Sequence, residues 1–316
     1  MLSSILKRIG LLLATLFLVT ALAFLAFSII PGDPTDALLG LDATEAQITA
    51  LRAELGLDLP LWQRYVNWLS AFLTGDLGQS YNYHMPVSEL LAVRIAPTLT
   101  LTALSAVLIV AVSIPLGLLS ARLEDSWLDK LLTVVNQIAM SVPNFILGIG
   151  LVFLFGLVLR WFRPGGYVGP EAGLGPYLAF MLFPALAVAL PKSAMTVKLL
   201  RGTVLTEMDE DYVRTAYSKG SNRSRVLWRH VLKNAMIPVV TFLATTIAEL
   251  VAGSIVVEQV FAIPGLGQML VSSIGNRDYP VVQAIIVLVA VVVVLCNFLA
   301  DAMCRLLDPR MKGGTA

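Results

Sequence analysis

Long apolar runs separated by shorter polar stretches are the main pattern of this chain. Each run has about 20 or more mostly apolar residues, the length that an α-helix needs to cross the hydrocarbon core of a bilayer. Six such runs occur, at residues 9–30, 96–120, 131–160, 177–200, 237–260 and 281–305. The pattern predicts an all-α integral membrane protein with six transmembrane helices.

The composition agrees with a membrane location. Charged residues make up only 14% of the 316 positions and hydrophobic residues 57%, whereas a soluble domain carries about 25% charged residues. We therefore expect membrane lipid as the surroundings. The net charge of +1 argues against a nucleic-acid partner, because such proteins carry a strongly basic face.

The first apolar run follows Lys7 and Arg8 and has to be distinguished from a signal peptide. Its apolar part is about 20 residues long, longer than the 7–15 residues of a signal-peptide core. The one Ala-x-Ala motif, Ala21 to Ala23, lies inside the run rather than after it. We interpret residues 1–30 as a retained first transmembrane helix.

The positive charges predict an orientation. Residues 191–236 contain nine Lys or Arg against four acids, and residues 31–95 contain three Arg against eight acids. Since cytoplasmic loops carry the excess of Lys and Arg, 31–95 is predicted to be extracytoplasmic and 191–236 cytoplasmic. With six spans, both termini are then cytoplasmic. The remaining residues, 96–316, form a core with five spans and include a cytoplasmic loop at 201–236.

The extracytoplasmic segment has the pattern of folded structure. Thr44 and Gln47 form a capping box at the start of a helix, and Gly56 suits its C-terminal cap. A second helical piece, LWQRYVNWLSAFL at 61–73, places aromatic residues at helical spacing. This segment is either a cap packed on the bundle or a dock or gate for something arriving from outside, and both interpretations stay open.

A basic block at residues 210–239 lies between two apolar runs. Val213, Ala216 and Tyr217 fall at helical spacing, and a second apolar set begins at Val226. Gly220 lies between the two sets, and glycine permits a sharp bend. The block predicts two short amphipathic helices joined at Gly220. The alternative is a basic loop that only sets topology, but such a loop needs no central glycine.

This helix–Gly–helix block resembles the coupling segment, or EAA loop, of permease subunits in bacterial ABC importers. The family pattern is Glu-Ala-Ala, three residues, Gly, nine residues, then Ile-x-Leu-Pro. This chain has Arg214-Thr215-Ala216, then Gly220, and Leu232 in the final motif. Only Ala216, Gly220 and Leu232 match, so the general pattern is matched in part.

Short stretches along nearly the whole chain are similar to one subfamily, the dipeptide, oligopeptide and nickel permeases. They are PGDP at 31–34, LGLDLPLWQRYVNWL at 55–69, GDLGQS at 75–80, EDYVRTAYSKG at 210–220, HVLKNAMIPV at 230–239, EQVFAIPGLGQ at 258–268, RDYPVVQ at 277–283 and DPR at 308–310. The likeness is to the first-subunit type of a heterodimeric pair, which has an extracytoplasmic scoop after its first span. In that subfamily a departure from Glu-Ala-Ala is usual.

The resemblance implies a complex in a bacterial inner membrane. Its other parts are a second homologous permease, two ATPase subunits and an extracytoplasmic substrate-binding protein. This chain lacks a G-x-x-x-x-G-K-[ST] phosphate loop, so ATP and Mg are expected on the ATPase subunits. We expect a non-catalytic chain without a cofactor or metal of its own.

The resemblance also implies roles for named residues. The expected ATPase-coupling residues are Tyr212, Arg214, Thr215, Ala216, Lys219 and Gly220. Closure of the ATPase pair on ATP would pull this helix and drive alternating access. The Gly- and Pro-rich loop before span six resembles a re-entrant or gating segment, with an ordinary surface turn as the alternative. Its expected outer-gate residues are Glu258, Pro264, Gly265, Gly267 and Asp278.

Polar residues inside the predicted spans are candidates for the translocation path. Glu249 falls near the centre of span five, and charge at that depth is usually functional or paired. It either lines the path or is a buried structural group. Asn136 and Asn144 in span three either line the path or hold helices together.

Two other functional classes compete with a transporter. An intramembrane enzyme needs a set of catalytic residues within the spans, and the sequence offers none. A passive channel has no use for a coupling segment. Within the transporter class, both peptides and nickel remain open as substrates. The methionines at 140, 181, 195, 236 and 269, five of the ten in the chain, do not cluster as metal ligands would, which favours peptides.

Overall fold

The computed structural model describes residues 2–29, 35, 39, 44–54 and 56–307. Within these ranges the regular structure is helical, apart from one isolated antiparallel bridge between Gln79 and Pro86. The all-α class predicted from the sequence is confirmed. The PGDP motif at 31–34 and the DPR motif at 308–310 lie outside the described residues.

The helices follow one another along the chain with short connections. Their bounds are α1 Leu2–Ile29, α2 Glu45–Glu54, α3 Leu61–Leu73, α4 Val87–Arg122, α5 Trp127–Ser141, α6 Asn144–Leu151, α7 Leu174–Met208, α8 Asp211–Ser218, α9 Arg223–Val226, α10 Leu232–Phe261, α11 Leu266–Gly275 and α12 Tyr279–Leu307. Two π-helical stretches, Val152–Val158 and Leu227–Val231, continue α6 and α9.

Five helical segments among the described residues are long and apolar enough to cross a membrane, and a sixth span results if one bent pair counts as a single crossing. That pair, Trp127–Ser141 and Asn144–Val158, bends by 101°. The span predicted over 131–160 is therefore a sharply bent helix pair rather than a straight helix. Val142 is extended, with φ −91° and ψ 123°, because the residue before a proline, here Pro143, is disfavoured in the α region.

The chain forms two compact units, the first made of residues 1–97 and 264–294. In this first unit, α11 and α12 pack on the start of α4 through an apolar core that includes Val87, Met269 and Ile285. The predicted capping box is present at α2. The Thr44 amide donates to Gln47 Oε1 at 3.0 Å, and the Gln47 amide donates to Thr44 Oγ1 at 3.4 Å.

The aromatic side chains of α3 pack on α1 within the same unit. Tyr65 Oη lies 2.9 Å from Thr20 Oγ1, and the ring of Tyr65 meets those of Phe17 and Phe24 edge to face. The α3 side chains therefore pack against the apolar part of α1, and not against the chain that follows it. Trp62 differs from the pattern, since it stays 69% exposed.

The second unit comprises residues 98–263 and 295–316. Its core lies between α4, α7 and α10, with Met181, Leu250 and Phe261 among the buried residues. The helices α4 and α7 approach closely at Gly117, where an added Cβ would lie 2.9 Å from Leu200 Cδ2. A small residue at a helix contact lets the backbones come this close.

Helix α7 is longer than the apolar run that predicts it. It extends through Pro184 and Pro191 to Met208, so Lys192, Lys198 and Arg201 lie in a helix. The apolar pattern does not indicate this length, because helix formation does not stop at a charged residue, and two of these cations have acidic partners on other helices.

A candidate coupling surface and a candidate translocation site

The basic block begins with α8, whose inner face is anchored in the second unit. Val213 is 1% exposed and Ala216 is also buried. Both belong to an apolar cluster that includes Leu118 of α4 and Leu200 of α7. The 3.6-residue spacing of these small apolar side chains puts them on one stripe. The helix is therefore held against the ends of α4 and α7.

Gly220 ends this helix with the bend that the sequence predicts. Its φ is +81°, a conformation that side chains with a Cβ rarely adopt. The Gly220 amide donates to the Tyr217 carbonyl at 2.8 Å, and the Ser221 amide donates to the Ala216 carbonyl at 3.2 Å. These bonds satisfy carbonyls that the end of a helix leaves open.

The second short helix of the prediction is not a separate element. Four α-helical residues, Arg223–Val226, continue through the π-helical stretch Leu227–Val231 into α10, and Ser224–Phe261 is one span candidate of 38 residues. Val226, Leu227 and Val231 are buried as predicted. The cations of this half therefore lie on an extension of the fifth predicted span.

The outer face of α8 exposes Arg214, Thr215 and Lys219. Tyr217 is 40% exposed, so its predicted place on the apolar stripe is wrong. At 8 residues α8 turns about twice, and its stripe is filled by Val213 and Ala216. The exposed side thus combines two cations with a hydroxyl and an aromatic ring, and one of the cations, Arg214, lies 3.7 Å from the exposed carboxylate of Asp211.

Tyr212 is directed towards the end of α7. Its hydroxyl donates to Glu207 Oε2 at 2.6 Å. Burial, followed by this hydrogen bond, raises the pKa of Tyr212 to about 12. Of the six predicted coupling residues, Tyr212 and Ala216 therefore hold the helix in place, and Gly220 sets its end.

A buried ion pair lies near this surface and was not predicted. Asp129, with 4% of its side chain exposed, binds Arg201 of α7. It also accepts a hydrogen bond from Ser120 of α4 and from the Asp125 amide. The network ties α4, α5 and α7 together. The only sequence signal is an acid and an arginine 72 residues apart, which does not identify them as partners.

Glu249 of α10 forms an ion pair with Lys192 of α7. The two line a cavity of about 320 Å³ with residues around the α5–α6 bend, among them Val142, Pro143 and Asn144. Glu249 is not buried within this chain, since 59% of its side chain is exposed. Lys192 was counted as a loop residue in the charge pattern, so its role here was missed.

Asn144 and Asn136 are placed differently. The Asn144 amide Nδ2 donates to the Gly253 carbonyl at 3.1 Å, and Asn144 lines the same cavity as Glu249. Asn136 is half-buried on α5 and does not line that cavity. The structure thus brings two of the three predicted path residues together.

The predicted outer-gate residues lie in both units. Glu258 of the second unit is fully buried within α10 and accepts a hydrogen bond from Thr98 Oγ1 at 2.7 Å. In the first unit, Pro264 and Gly265 lead into the ten-residue helix α11, in which Gly267 is buried. The segment predicted as a re-entrant loop or a surface turn therefore contains a short apolar helix.

Asp278 of the first unit organises a turn that is remote in sequence. Its carboxylate accepts hydrogen bonds from the Ser80 hydroxyl and from the amides of Tyr81 and Asn82, at 3.1 and 3.4 Å for the two amides. Asp278 itself is fully buried. The residue links the end of the predicted scoop to the segment before α12.

Family models match almost the whole chain. Residues 113–313 match the family of binding-protein-dependent transport system inner membrane components, and residues 1–102 match the model for the N-terminal part of such components. The chain belongs to this family. It is the permease subunit of a binding-protein-dependent ABC importer, as the motifs predicted.

Relatives of this permease align over nearly their full length. A probable peptide ABC transporter permease of Sinorhizobium fredii is 35% identical over 98% of both chains. A putative peptide transport system permease of Brucella abortus is 37% identical over 98% of both chains, and the oligopeptide permease AppB of Bacillus subtilis is 35% identical over the same shares.

A solved structure supports the fold of the permease. A chain of the MetNI methionine ABC transporter, in an inward-facing conformation, superposes with a TM-score of 0.56 at 19% identity. The match covers 69% of this permease and 96% of that chain. At this identity the likeness shows the fold and not the substrate.

Proposed function

We propose that this permease carries di- and oligopeptides into the cytoplasm by alternating access, driven by separate ATPase subunits. The assignment of peptides as substrate is supported by the relatives named as peptide permeases, which are 35–37% identical over nearly the whole chain. Nickel, which the sequence motifs alone leave open, is the competing substrate.

The construction of α8 supports its role as the contact with an ATPase. A helix that transmits force has to be fixed to the spans on one side and free to bind on the other. Val213 and Ala216 fix it to the ends of α4 and α7, while Arg214, Thr215 and Lys219 remain exposed. Movement of α8 would then be passed to the spans because closely packed interiors transmit displacement.

The proposed complex contains a second homologous permease, two ATPase subunits and an extracytoplasmic binding protein. ATP and Mg would bind to the ATPase subunits, and this chain would have no catalytic activity of its own. Its place would be the bacterial inner membrane, with both termini in the cytoplasm. The excess of Lys and Arg in the block around α8 supports this orientation.

The test is transport by the purified complex in proteoliposomes, with the binding protein supplied on one side. Radiolabelled peptides and ⁶³Ni, offered separately, distinguish the substrates. We expect ATP-dependent uptake of peptides and none of nickel. The control is the same complex with an inactive ATPase subunit. Uptake of nickel but not of peptides would contradict the assignment of peptides as substrate. Failure of the permease to copurify with any ATPase would contradict the coupling role of α8.

A further inference from the structure

The Lys192–Glu249 pair lies in the middle of two long helices. Lys192 comes 18 residues after Leu174 and 16 before Met208, the ends of α7. Glu249 comes 12 residues before Phe261, where α10 ends. At about 1.5 Å per residue, each side chain lies at least about 18 Å from the nearer end of its helix, well inside a span candidate, where isolated charges are rare and usually mark a pathway.

The pair is open to a cavity rather than enclosed by packing. The side chains of Lys192 and Glu249 are 28% and 59% exposed. In the Arg201–Asp129 pair the cation is similarly exposed, at 29%, but the acid is only 4% exposed, so the accessible carboxylate is what distinguishes the Lys192–Glu249 pair. A molecule inside the cavity can therefore reach both charges.

The need to keep the site electrically neutral explains why a lysine and a glutamate occur together here. Without a ligand the two charges compensate each other, so neither is left unpaired at membrane depth. A ligand that carries one positive and one negative group can replace the internal pair by two new pairs, and the site stays neutral. A ligand with a single charge would leave one protein charge uncompensated.

The bend between α5 and α6 adds a second feature that favours a carboxylate. Pro143 and Asn144, where α6 begins, line the same cavity. The amides of Ile146 and Leu147 donate to the Pro143 carbonyl, and this end of the helix carries a partial positive charge. The cavity thus offers a cation and a helix N-terminus for a negative group, and Glu249 for a positive one.

We propose that Lys192 binds the α-carboxylate and Glu249 the α-ammonium group of a short peptide with free ends. This inference rests on the proposed function. A volume of about 320 Å³ lies at the lower end of the range of small-molecule sites, about 300–1,000 Å³. The volume suits a molecule of di- or tripeptide size, and the two side chains, which contact each other in this structure, would separate to bind its two ends.

The experiment compares three forms of trialanine, with both ends free, N-acetylated or C-amidated, in proteoliposomes of the whole complex. The variants are Lys192→Gln and Glu249→Gln. The controls are Lys130→Gln and Glu171→Gln, which each remove one exposed charge outside the cavity. Since the same binding protein supplies every variant, its own selectivity cancels when a variant is compared with the wild type.

We expect Lys192→Gln to reduce uptake of the free peptide by at least about tenfold, the range for a lost hydrogen bond to a charged group. This variant should also lose the preference for a free over an amidated C-terminus. Glu249→Gln should lose the preference for a free over an acetylated N-terminus. The two control variants should keep both preferences.

Equal losses of uptake for all three peptides would overturn the proposal and leave a gating or structural pair. Failure of the wild type to carry any peptide would instead overturn the proposed function. Assembly with the ATPase subunits is checked by size-exclusion chromatography. If a single variant does not assemble, the reversed pair Lys192→Glu/Glu249→Lys keeps neutrality. It should still prefer peptides with both ends free, and loss of that preference would contradict the proposal.

Discussion

Arg201 binds Asp129 through two parallel hydrogen bonds, with Nε 2.9 Å from Oδ1 and Nη2 2.7 Å from Oδ2. The geometry is that of the strongest ion pairs in proteins. It connects the first half of the bent helix pair to α7, whose end supports α8. The Arg201–Asp129 ion pair therefore links α7, which supports the proposed ATPase contact α8, to α5, whose last residues line the cavity.

Asp129→Asn should destabilise the permease by about 3 kcal/mol, because removal of one partner leaves a partly buried charge without compensation. The measurement is the thermal unfolding of the purified complex in detergent. Lys130→Gln, at the adjacent exposed position, is the matched control and should leave the transition unchanged. A similar effect of the two substitutions would show that the ion pair contributes little.

Gly117→Ala should destabilise the second unit by about 1–3 kcal/mol, the usual cost of overpacking. The new Cβ would lie 2.9, 3.0 and 3.1 Å from Cδ2, Cβ and Cγ of Leu200, so the whole Leu200 side chain would have to shift. Gly150→Ala meets no atom within 4 Å and is the control in the same thermal assay. Equal stability of the two variants would contradict the close contact.

Gly220→Pro should uncouple ATP hydrolysis from transport while membrane insertion remains intact. Proline fixes φ near −65°, which is incompatible with the +81° observed, so α8 would lose its defined end. Uptake should fall at least about tenfold with ATPase activity retained.

Gly220→Ala should have a smaller effect, about 1–2 kcal/mol from the left-handed conformation alone, because no neighbouring atom lies within 4 Å. Gly202→Ala, inside helix α7 and equally uncrowded, is the control and should not impair uptake. Unchanged uptake with Gly220→Pro would exclude a coupling role for this bend.

Asp278→Ala should release the turn at Tyr81 and Asn82. Both amides lose their acceptor, and we expect their hydrogen exchange to accelerate at least about tenfold, since exchange follows local opening. Mass spectrometry of the peptide that covers residues 76–86 measures this. Asn276→Ala changes an exposed neighbour on the same loop and should leave the exchange rates as they are.

Tyr212 should titrate about two units above an ordinary tyrosine, for which the pKa is about 10. Because the folded-state pKa is raised, its contribution to stability is complete below pH 10 and is lost as the pH rises towards 12. Tyrosinate absorbance near 295 nm, compared between the wild type and Tyr212→Phe, isolates this group. A difference spectrum that develops around pH 10 would contradict the buried hydrogen bond to Glu207.

Local features of the fold were predictable from the sequence. The Thr44–Gln47 capping box, the buried stripe of Val213 and Ala216 and the left-handed Gly220 depend on residues close to one another in the chain. Helix propensity and the chemistry of helix ends determine such features, so a single sequence suffices to recognise them.

Pairing between helices was not predictable in the same way. Lys192 and Glu249 are 57 residues apart, and Asp129 and Arg201 are 72 residues apart. Which cation meets which acid depends on how α5, α7 and α10 pack. A charged residue also resembles the end of a span in sequence, so Lys192 is predicted in a loop, whereas a paired charge is tolerated within a helix.

The 101° bend after Ser141 has a consequence for how the chain is inserted during synthesis. Each half of the bent pair has 15 residues, and at about 1.5 Å per residue neither reaches across a hydrocarbon core about 30 Å thick. Asp129 in the first half gains its counter-charge only when Arg201 has been made. We therefore expect stable integration of this stretch to require α7, and substitutions at Arg201 to lower the amount of permease in the membrane as well as its transport.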